Sequence, residues 1–519
     1  MIQTMMKQLH TELKQHFRPF LNPPAAEEDI QKAENEMEVT FPEELRALYL
    51  THNGEKESGP GLFFGLPFLS LQEMLTEWRI WKELEGDEEL GEIDAYSVPP
   101  CWIKEKYVNR RWIPISRDYG GNHIGVDLDP DQEGQAGQVI NFGRDEEIKY
   151  VIAHHVTDLL IHITNTLKNG HYTIDEYDDA VSWSYGKEEE LHFLDAIRSM
   201  ELPVLHARPQ EADLEHADRW LRQLDDRWTA IVETMAESPK AFCNRIKLRL
   251  AGRELIHIKP LSICTDMREL NISANRIHDL TPLQSMIFLK KLYLGNNPVA
   301  DLKPIAQLKH LQYLNVEKTC VTDLSPLADL SSLRELDMTD IQAAEYAPLI
   351  HCKNLEFLKV DVCNEKQIND ISQISTLKRL HIRGDEHVSE EEIKAIAGLK
   401  TLRSLTVENI TLENVDFLGT IHTLQTLKLI NSSVKDGTVL AGLEHLKRLE
   451  LDGSEIVNLK VVAQSPSLEE FTGSFDQFYV LKDICKKKVD FSKVIGDMSE
   501  EEEEIWSSYV SDSFSSRGS

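Results

Sequence analysis

From Arg245 onward the apolar positions recur in a fixed frame. Successive units of the frame begin at Arg245, Met267, Leu289, Leu311, Leu333, Leu355, Leu377, Leu402, Leu424, Leu446 and Leu468, eleven in all. The step is 22 residues throughout, except for 25 between Leu377 and Leu402. The clearest unit is LKKLYLGNNPVADLKPIAQLKH, beginning at Leu289. Its Leu289, Leu292 and Leu294 predict a short strand with alternate residues turned inward. Asn297 falls at the following turn, Val299 and Leu302 point back inside, and Pro304, Ile305 and Leu308 close the far side in an extended or short helical turn. One such unit cannot bury its own leucines. Stacked neighbours bury them together, at roughly 1.5–3 kcal/mol for each Leu or Ile, so the units are expected to share one core and to line up a parallel sheet on a concave side. Residues between the inward leucines then face outward: Tyr293, Tyr313, Glu335, Asp337, Phe357, Lys359, Arg379 and His381. Tyr293, Tyr313 and Phe357 are large aromatics on a surface that need not hold them. Such residues are enriched where interfaces draw their energy, although scattered exposed aromatics are also ordinary.

The L-x-x-L-x-L strand followed by D-L-x-P-L resembles the leucine-rich repeat family, in particular its bacterial internalin-like class, from about Arg245 to Phe475. The turn position, usually Asn in that family, holds Asn275 and Asn297 but then Thr319, Ile341, Cys363, Asp385, Ile410, Ser432 and Ser454. Asparagine there satisfies backbone groups inside the turn, so a less regular ladder is expected in the later units. The insertion around Glu386 to Glu392 is expected to bulge on the convex side.

No repeat precedes Arg245. Ile30, Ala33 and Met37 mark one amphipathic helix. Leu45, Leu48 and Tyr49 mark a second that begins near Pro42 and ends at Asn53-Gly54, residues that tolerate the left-handed conformation. Met74, Trp78 and Trp81 share one side of a third. WIPI, HIGVDL and QVINF read as strands separated by Gly-rich turns. A final helix is expected in EEIKYVIAHHVTDLLIHITNTL, with Val151, Val156, Leu159 and Ile163 packed on the sheet. This order resembles the SUKH superfamily over about residues 20 to 165. The residues carrying the likeness are Phe41, Pro42, Leu45, Leu48, Tyr49, Asn53 and Gly54, then Trp112, Ile113 and Pro114, then Gly121, Asp127, Asp129, Pro130, Gly137, Gln138 and Val139. The resemblance implies an α+β fold with helices backing a sheet, and a binding role without catalysis that often neutralises a nuclease or another toxin.

Between the two regions Leu214, Ala217, Leu221, Leu224, Trp228, Ile231 and Met235 form one apolar stripe in steps of three and four. It suits a cap over the first repeat, which a solenoid needs, or a helix that pairs with a partner. The expected fold is α/β overall: an α+β domain over 1–165, a helical connector and cap over 166–244, repeats over 245–475, and a cap with a disordered acidic, Ser-rich tail over 476–519.

Composition narrows the function. The formal net charge of -32 argues against nucleic acid and anionic lipid partners and suits solubility or a basic protein partner. No stretch is apolar enough to span a membrane, and the start lacks an apolar signal core, so a cytoplasmic protein is expected. The seven cysteines, irregularly spaced and without a C-x-x-C, read as reduced thiols. Asp127, Asp129, Asp131 and Glu133 alternate as in a calcium loop, but Gln132 and Gln138 stand where Gly and Glu are required. His154, His155, Asp158 and His162 share one expected helix, and a metal would need a further ligand such as His123. No nucleophile, base and oxyanion donors assemble in sequence. Together with what the SUKH resemblance implies, the expected protein is a non-catalytic, cofactor-free binding protein of the immunity type, with the repeats as a second surface. The alternatives are a regulatory scaffold and, more distantly, a metal-dependent hydrolase.

Overall fold

The computed structural model describes the chain apart from residue 1 and residues 15–16, 18, 58, 92, 178–179, 187–192, 200–218, 237, 363, 385–389, 486–488 and 516–519. It contains two compact units, Met1–Glu211 and Ala212–Ser519.

In the first unit, β1 (Tyr96–Val98), β2 (Trp112–Arg117), β3 (Asn122–Asp127), β4 (Gln138–Gly143) and β5 (Ile148–Ala153) form a sheet ordered β1-β5-β4-β3-β2. β2 to β5 pair antiparallel, and β1 joins β5 in parallel. Alternation gives the sheet two apolar faces. Ile113, Ile115, Ile124, Val126 and Val139 pack into the helical core, while Trp112, Ile140, Phe142 and Val151 pack with Trp81 and Ile103.

The helices are α1 (Ile2–Leu13), α2 (Glu27–Met37), α3 (Glu43–Tyr49), α4 (Leu71–Leu84), the short α5 (Glu88–Gly91), α6 (Val156–Lys168) and α7 (Phe193–Ser199). α4 starts where it does because Ser70 and Glu73 form a reciprocal capping box, and it buries Met74, Trp78 and Trp81 as the spacing predicts. The polar start of the chain is helical as well. Ile2, Met6, Leu9 and Leu13 make one buried stripe packed on α6.

Two expectations need correction here. The single helix across residues 146–167 is a strand followed by a helix. Ile148–Ala153 is rich in β-branched residues and pairs between β1 and β4, so Val151 lies on the sheet's other face and the helix begins only at Val156. The boundary at residue 165 also falls short. The hairpin of β6 (Tyr172–Tyr177) and β7 (Ala180–Tyr185) sends Trp183 into the first unit's core, where its Nε1 donates to Gly61 O at 2.5 Å.

The second unit is built on an eleven-stranded parallel sheet. Its strands in spatial order are β8 (Lys247–Arg249), β9 (Glu269–Asn271), β10 (Lys291–Tyr293), β11 (Tyr313–Asn315), β12 (Glu335–Met338), β13 (Phe357–Asp361), β14 (Arg379–Arg383), β15 (Ser404–Glu408), β17 (Thr426–Ile430), β19 (Arg448–Asp452) and β21 (Glu470–Thr472). Each repeat thus contributes one strand. Register advances by one unit per strand, so Leu292 sits between Leu270 and Leu314. Leu289, Leu292 and Leu294 are fully buried. The Pro-containing segments form short 3-10 turns on the far side, such as Lys303–Ile305 and Ser325–Asp329. One unit instead has a true helix, α10 (Glu365–Ser372). Most of the inserted segment lies outside the described residues, and the short α11 (Glu390–Ile393) follows it.

The asparagine turns work as their chemistry demands. Asn297 Nδ2 donates to Ile272 O and Leu294 O at 2.9 and 2.8 Å, and its Oδ1 accepts from Ile277 N at 3.0 Å. The later units, expected to form a less regular ladder, instead keep unbroken register and are more extended. Their strands lengthen from three residues to five, and a second parallel sheet, β16 (Thr411–Asn414), β18 (Ser433–Asp436) and β20 (Glu455–Ile456), takes over the backbone bonding after the turn. Ser432 and Ser454 bridge these turns, with Ser432 N donating to Ser454 Oγ at 2.9 Å.

Both ends of the array are covered. At the start, α8 (Asp226–Met235) and α9 (Pro239–Cys243) bury Trp228, Ile231, Val232 and Phe242 in the repeat core. The stripe read as continuous is interrupted where Asp225 caps α8 by accepting from Trp228 N; Leu214 and Ala217 lie outside the described residues. At the far end come α12 (Phe475–Leu481) and α13 (Glu500–Ser515). The tail expected to be disordered is therefore helical as far as Ser515. Ser499 and Glu502 cap it reciprocally, Trp506 Nε1 donates to Phe491 O at 2.9 Å, and Tyr509 packs edge-on against Phe478.

Candidate protein-binding face

Parallel pairing in strict register turns the outward positions of the repeat into rows. Tyr313, Glu335, Phe357 and Arg379 are direct neighbours across β11 to β14. The next row runs Tyr293, Asn315, Asp337, Lys359, His381 across β10 to β14. All eight residues expected on the open face are brought together there, over leucines that are fully buried or nearly so.

Their contacts divide them into two kinds. The Tyr293 and Tyr313 rings lie 4.7 Å apart, tilted at 38°. The charged residues pair with one another: Arg379 Nη2 meets Glu335 Oε1 at 2.7 Å, and Lys359 Nζ meets Asp337 Oδ2 at 3.2 Å. The Arg379 guanidinium also covers the Phe357 ring at 4.9 Å. His381 Nε2 lies 2.8 Å from Glu408 Oε2. Arg383 joins Asp361 at 2.7 Å and also reaches Asp340. Burial pushes the Tyr313 phenol up to about 12, with Tyr293 adding to the effect. Burial also lowers His381, against the pull of Glu408. The charges were expected to face a partner, but much of their capacity is already spent within the sheet. The aromatic pair adds half-buried ring surface to the same face. Glu408 and Asp340 escaped the sequence reading. Glu408 occupies the same place in its strand as Arg383 does in β14, so extending the frame by one rung would have found it.

The motif residues of the first unit do a different job. Phe41 is buried, and its N–H donates to Glu34 Oε1 at 2.8 Å just before Pro42 caps α3. α3 ends at Tyr49 rather than at Asn53-Gly54. Asn53 Oδ1 instead accepts from Leu71 N at 2.9 Å. Gly54 has φ +75°, and a Cβ there would lie 2.4 Å from Ser70 N, so only glycine fits. Trp112 packs beside Phe142, and Pro114 is tolerated because β2 is an edge strand. Asp127 is buried, accepts from Gln138 Nε2 and Asp129 N, both at 2.8 Å, and is pushed by burial up to about 6. Burial opposes ionisation of Asp129 as well, but Lys104 at 2.5 Å and Asn109 at 3.0 Å hold it below the usual carboxylate range. Gly137, at φ +99°, turns the chain beside Pro42. These residues brace loops against the sheet.

The candidate metal residues do not converge. His154 and His155 precede α6, and His155 is its N-cap rather than a member of its face. His162 stacks near Tyr185. His123 is buried against Phe142 with Nε2 3.0 Å from Glu77 Oε2. Among the described residues no group of three or more His, Cys, Asp or Glu is placed to hold a metal ion.

The sequence pattern of the SMI1 / KNR4 family (SUKH-1) matches residues 24–162. The first unit carries a SUKH-1 domain. The pattern of a leucine-rich repeat region matches residues 266–472, and the repeats of the second unit are such a region. The SUKH-1 domain is similar to the cell wall biosynthesis/cell cycle regulator smi1 of Schizosaccharomyces pombe, 33% identical over 183 residues covering 33% of this chain and 36% of that one. It is also similar to the cell wall assembly regulator SMI1 of Saccharomyces cerevisiae, 31% identical over 197 residues covering 31% of this chain and 39% of that one. This chain therefore spans little more than a third of the length of either relative. An internalin structure from Listeria monocytogenes matches at 20% identity with a TM-score of 0.40, covering 58% of this chain and 86% of that one. Among the described residues no helix is long and apolar enough to cross a membrane.

Proposed function

We propose that this chain is a non-catalytic protein-binding protein with two working surfaces, the open face of the repeat sheet and the SUKH-1 domain. The observation that carries this reading is the Tyr293–Tyr313 pair. The core beneath is already filled by Leu292 and Leu314, so two half-buried rings tilted against each other on the outside are not needed to complete it. They supply the rigid, amphipathic contact area from which interfaces gain most of their energy. Phe357, beyond Glu335 in the same row, lies under the Arg379 guanidinium and adds its remaining ring edge to the same patch.

For the SUKH-1 unit the favoured partner is a basic toxin domain, which makes the chain an immunity-type protein acting in the cytosol without a cofactor. Residues 1–211 hold 40 of the 88 acids but only 19 of the 56 bases, and such an excess steers a basic partner and repels nucleic acid. A second reading, a regulatory scaffold, is favoured by the descriptions of the two fungal relatives as cell wall regulators.

Affinity capture tests both. The wild-type chain and the double variant Tyr293→Ala, Phe357→Ala serve as paired baits, and the eluates are compared by mass spectrometry. A protein retained by the wild type and released by the variant supports the sheet face; identical eluates refute it. A basic toxin domain held equally by both baits, and lost in high salt, identifies the SUKH-1 surface. Its absence, with regulatory proteins in its place, favours the scaffold.

A further inference from the structure

One rim of the repeat sheet carries the opposite charge from the chain as a whole. The residue just before each strand bonds along the ladder to its equivalent in the next unit: Glu356 N donates to Arg334 O, Lys378 N to Glu356 O, and Arg403 N to Lys378 O, at 2.7–2.8 Å. These positions therefore stand side by side at the sheet's edge, about 4.8 Å apart. Arg334, Lys378 and Arg403 are exposed, as are Arg379 beside Lys378 and, on the loops leading into the strands, Lys353 and Lys400.

Only part of this charge is cancelled. Lys378 meets Glu356 at 2.8 Å and Arg379 meets Glu335 at 2.7 Å. Lys353 Nζ donates to Ile350 O, and Lys400 Nζ donates to Ala397 O and Thr420 O, which orients the two ammonium groups without neutralising them. Arg334, Lys353, Lys400 and Arg403 have no carboxylate partner among the described residues. Six cations with two carboxylates thus cross β12 to β15, roughly 14 Å of sheet edge, in a chain of net charge -32.

We infer that this rim, Arg334–Lys353–Lys378–Arg379–Lys400–Arg403, is a docking site for an acidic polypeptide segment of a partner protein. An extended segment of about four or five residues spans the distance, and Arg forks pair with carboxylates in two-point contacts. A long nucleic acid fits less well. Glu335 and Glu356 interrupt the rim, and the acidic remainder of the chain repels a polyphosphate that runs past it. Phe357, the aromatic on these strands, already has its ring covered by Arg379, which leaves little for base stacking. The proposal goes beyond the toxin reading, since a basic toxin domain is repelled here, and it stands whether or not Tyr293 and Tyr313 bind.

The test uses the full chain and a fluorescein-labelled octaglutamate probe, followed by anisotropy at low ionic strength. The expected result is binding that weakens as salt rises and that falls about tenfold or more in the double variant Arg334→Glu, Arg403→Glu. Lys303→Glu, on a 3-10 turn away from the rim, keeps the wild-type affinity, and all proteins keep the same unfolding midpoint. Absence of salt-sensitive binding overturns the proposal, as does an equal loss in Lys303→Glu. A labelled single-stranded oligonucleotide that binds more tightly than octaglutamate through the same residues also overturns it, in favour of a nucleic acid.

Discussion

Replacing Leu314 with alanine is the sharpest test of the shared core. Leu314 is the central residue of β11, fully buried, and held in register between Leu292 and Leu336. The substitution removes three carbons, forfeiting about 2.4 kcal/mol of burial at ~0.8 kcal/mol each. The flanking leucines are fixed by the ladder on either side and cannot close the gap, so a cavity of roughly 60 Å³ remains, adding about 1.4 kcal/mol at ~24 cal/mol per Å³. The sum, about 4 kcal/mol, lies within the usual ~2–5 kcal/mol for a core Leu→Ala change. Each repeat leans only on its neighbours, so the damage is local. Urea unfolding followed by circular dichroism reads the loss, and hydrogen exchange with mass spectrometry places it. Peptides spanning residues 289–338 lose protection, whereas peptides from β2 to β4 keep theirs. An unchanged transition, or protection lost first in the SUKH-1 unit, would falsify the register and the shared core together.

Asn297→Ala strips the turn of a side chain that donates to Ile272 O and Leu294 O and accepts from Ile277 N; a cost of about 1–3 kcal/mol is expected, with faster exchange of the Ile277 amide as its signature. Lys149 is buried beside the Trp112 ring, donates to Glu146 O, and is lowered by burial to about 8. Between pH 8 and the unfolded value near 10.5 the unfolded chain holds a proton that the folded one lacks, so stability from this group rises with pH across that window, by about 3 kcal/mol. Lys149→Met removes the rise, and a wild type and variant with parallel stability–pH curves above pH 8 would contradict it. Trp506→Ala, which loses the bond to Phe491 O, is expected to release α13, read as a loss of helical ellipticity with the β-sheet signal retained.

The repeat array was legible in the sequence because its signal is redundant. Eleven units repeat the same spacing, so an irregular turn such as Ile341 or Ile410 does not obscure the frame, and the outward rows follow from it. Single-copy elements were harder to read. Residues 146–167 satisfy a helical spacing as well as a strand followed by a helix, and only the pairing of Ile148–Ala153 between β1 and β4 decides between them. The stripe of α1 is diluted by polar residues, and its meaning depends on α6, far along the chain. α13 begins in an acidic run and ends in serines; Trp506 and Tyr509 hold it by contacts that local composition does not announce. The ion pairs of the charged face were illegible for a related reason. Sequence placed Arg379 and Glu335 on the same surface, but 44 positions apart, and only register shows that they neutralise each other.

Strict register has a further consequence for how such a wall changes over generations. Removing residues 311–332 as a block would set the Lys291 rung directly against the Glu335 rung, leaving every other hydrogen bond of the ladder in place and the surface shorter by a single step. Excising 21 residues instead would exchange inward and outward side chains in everything that follows. The span offered to a partner is thus quantised: it can grow or shrink by duplication and loss of complete modules while its interior needs no redesign.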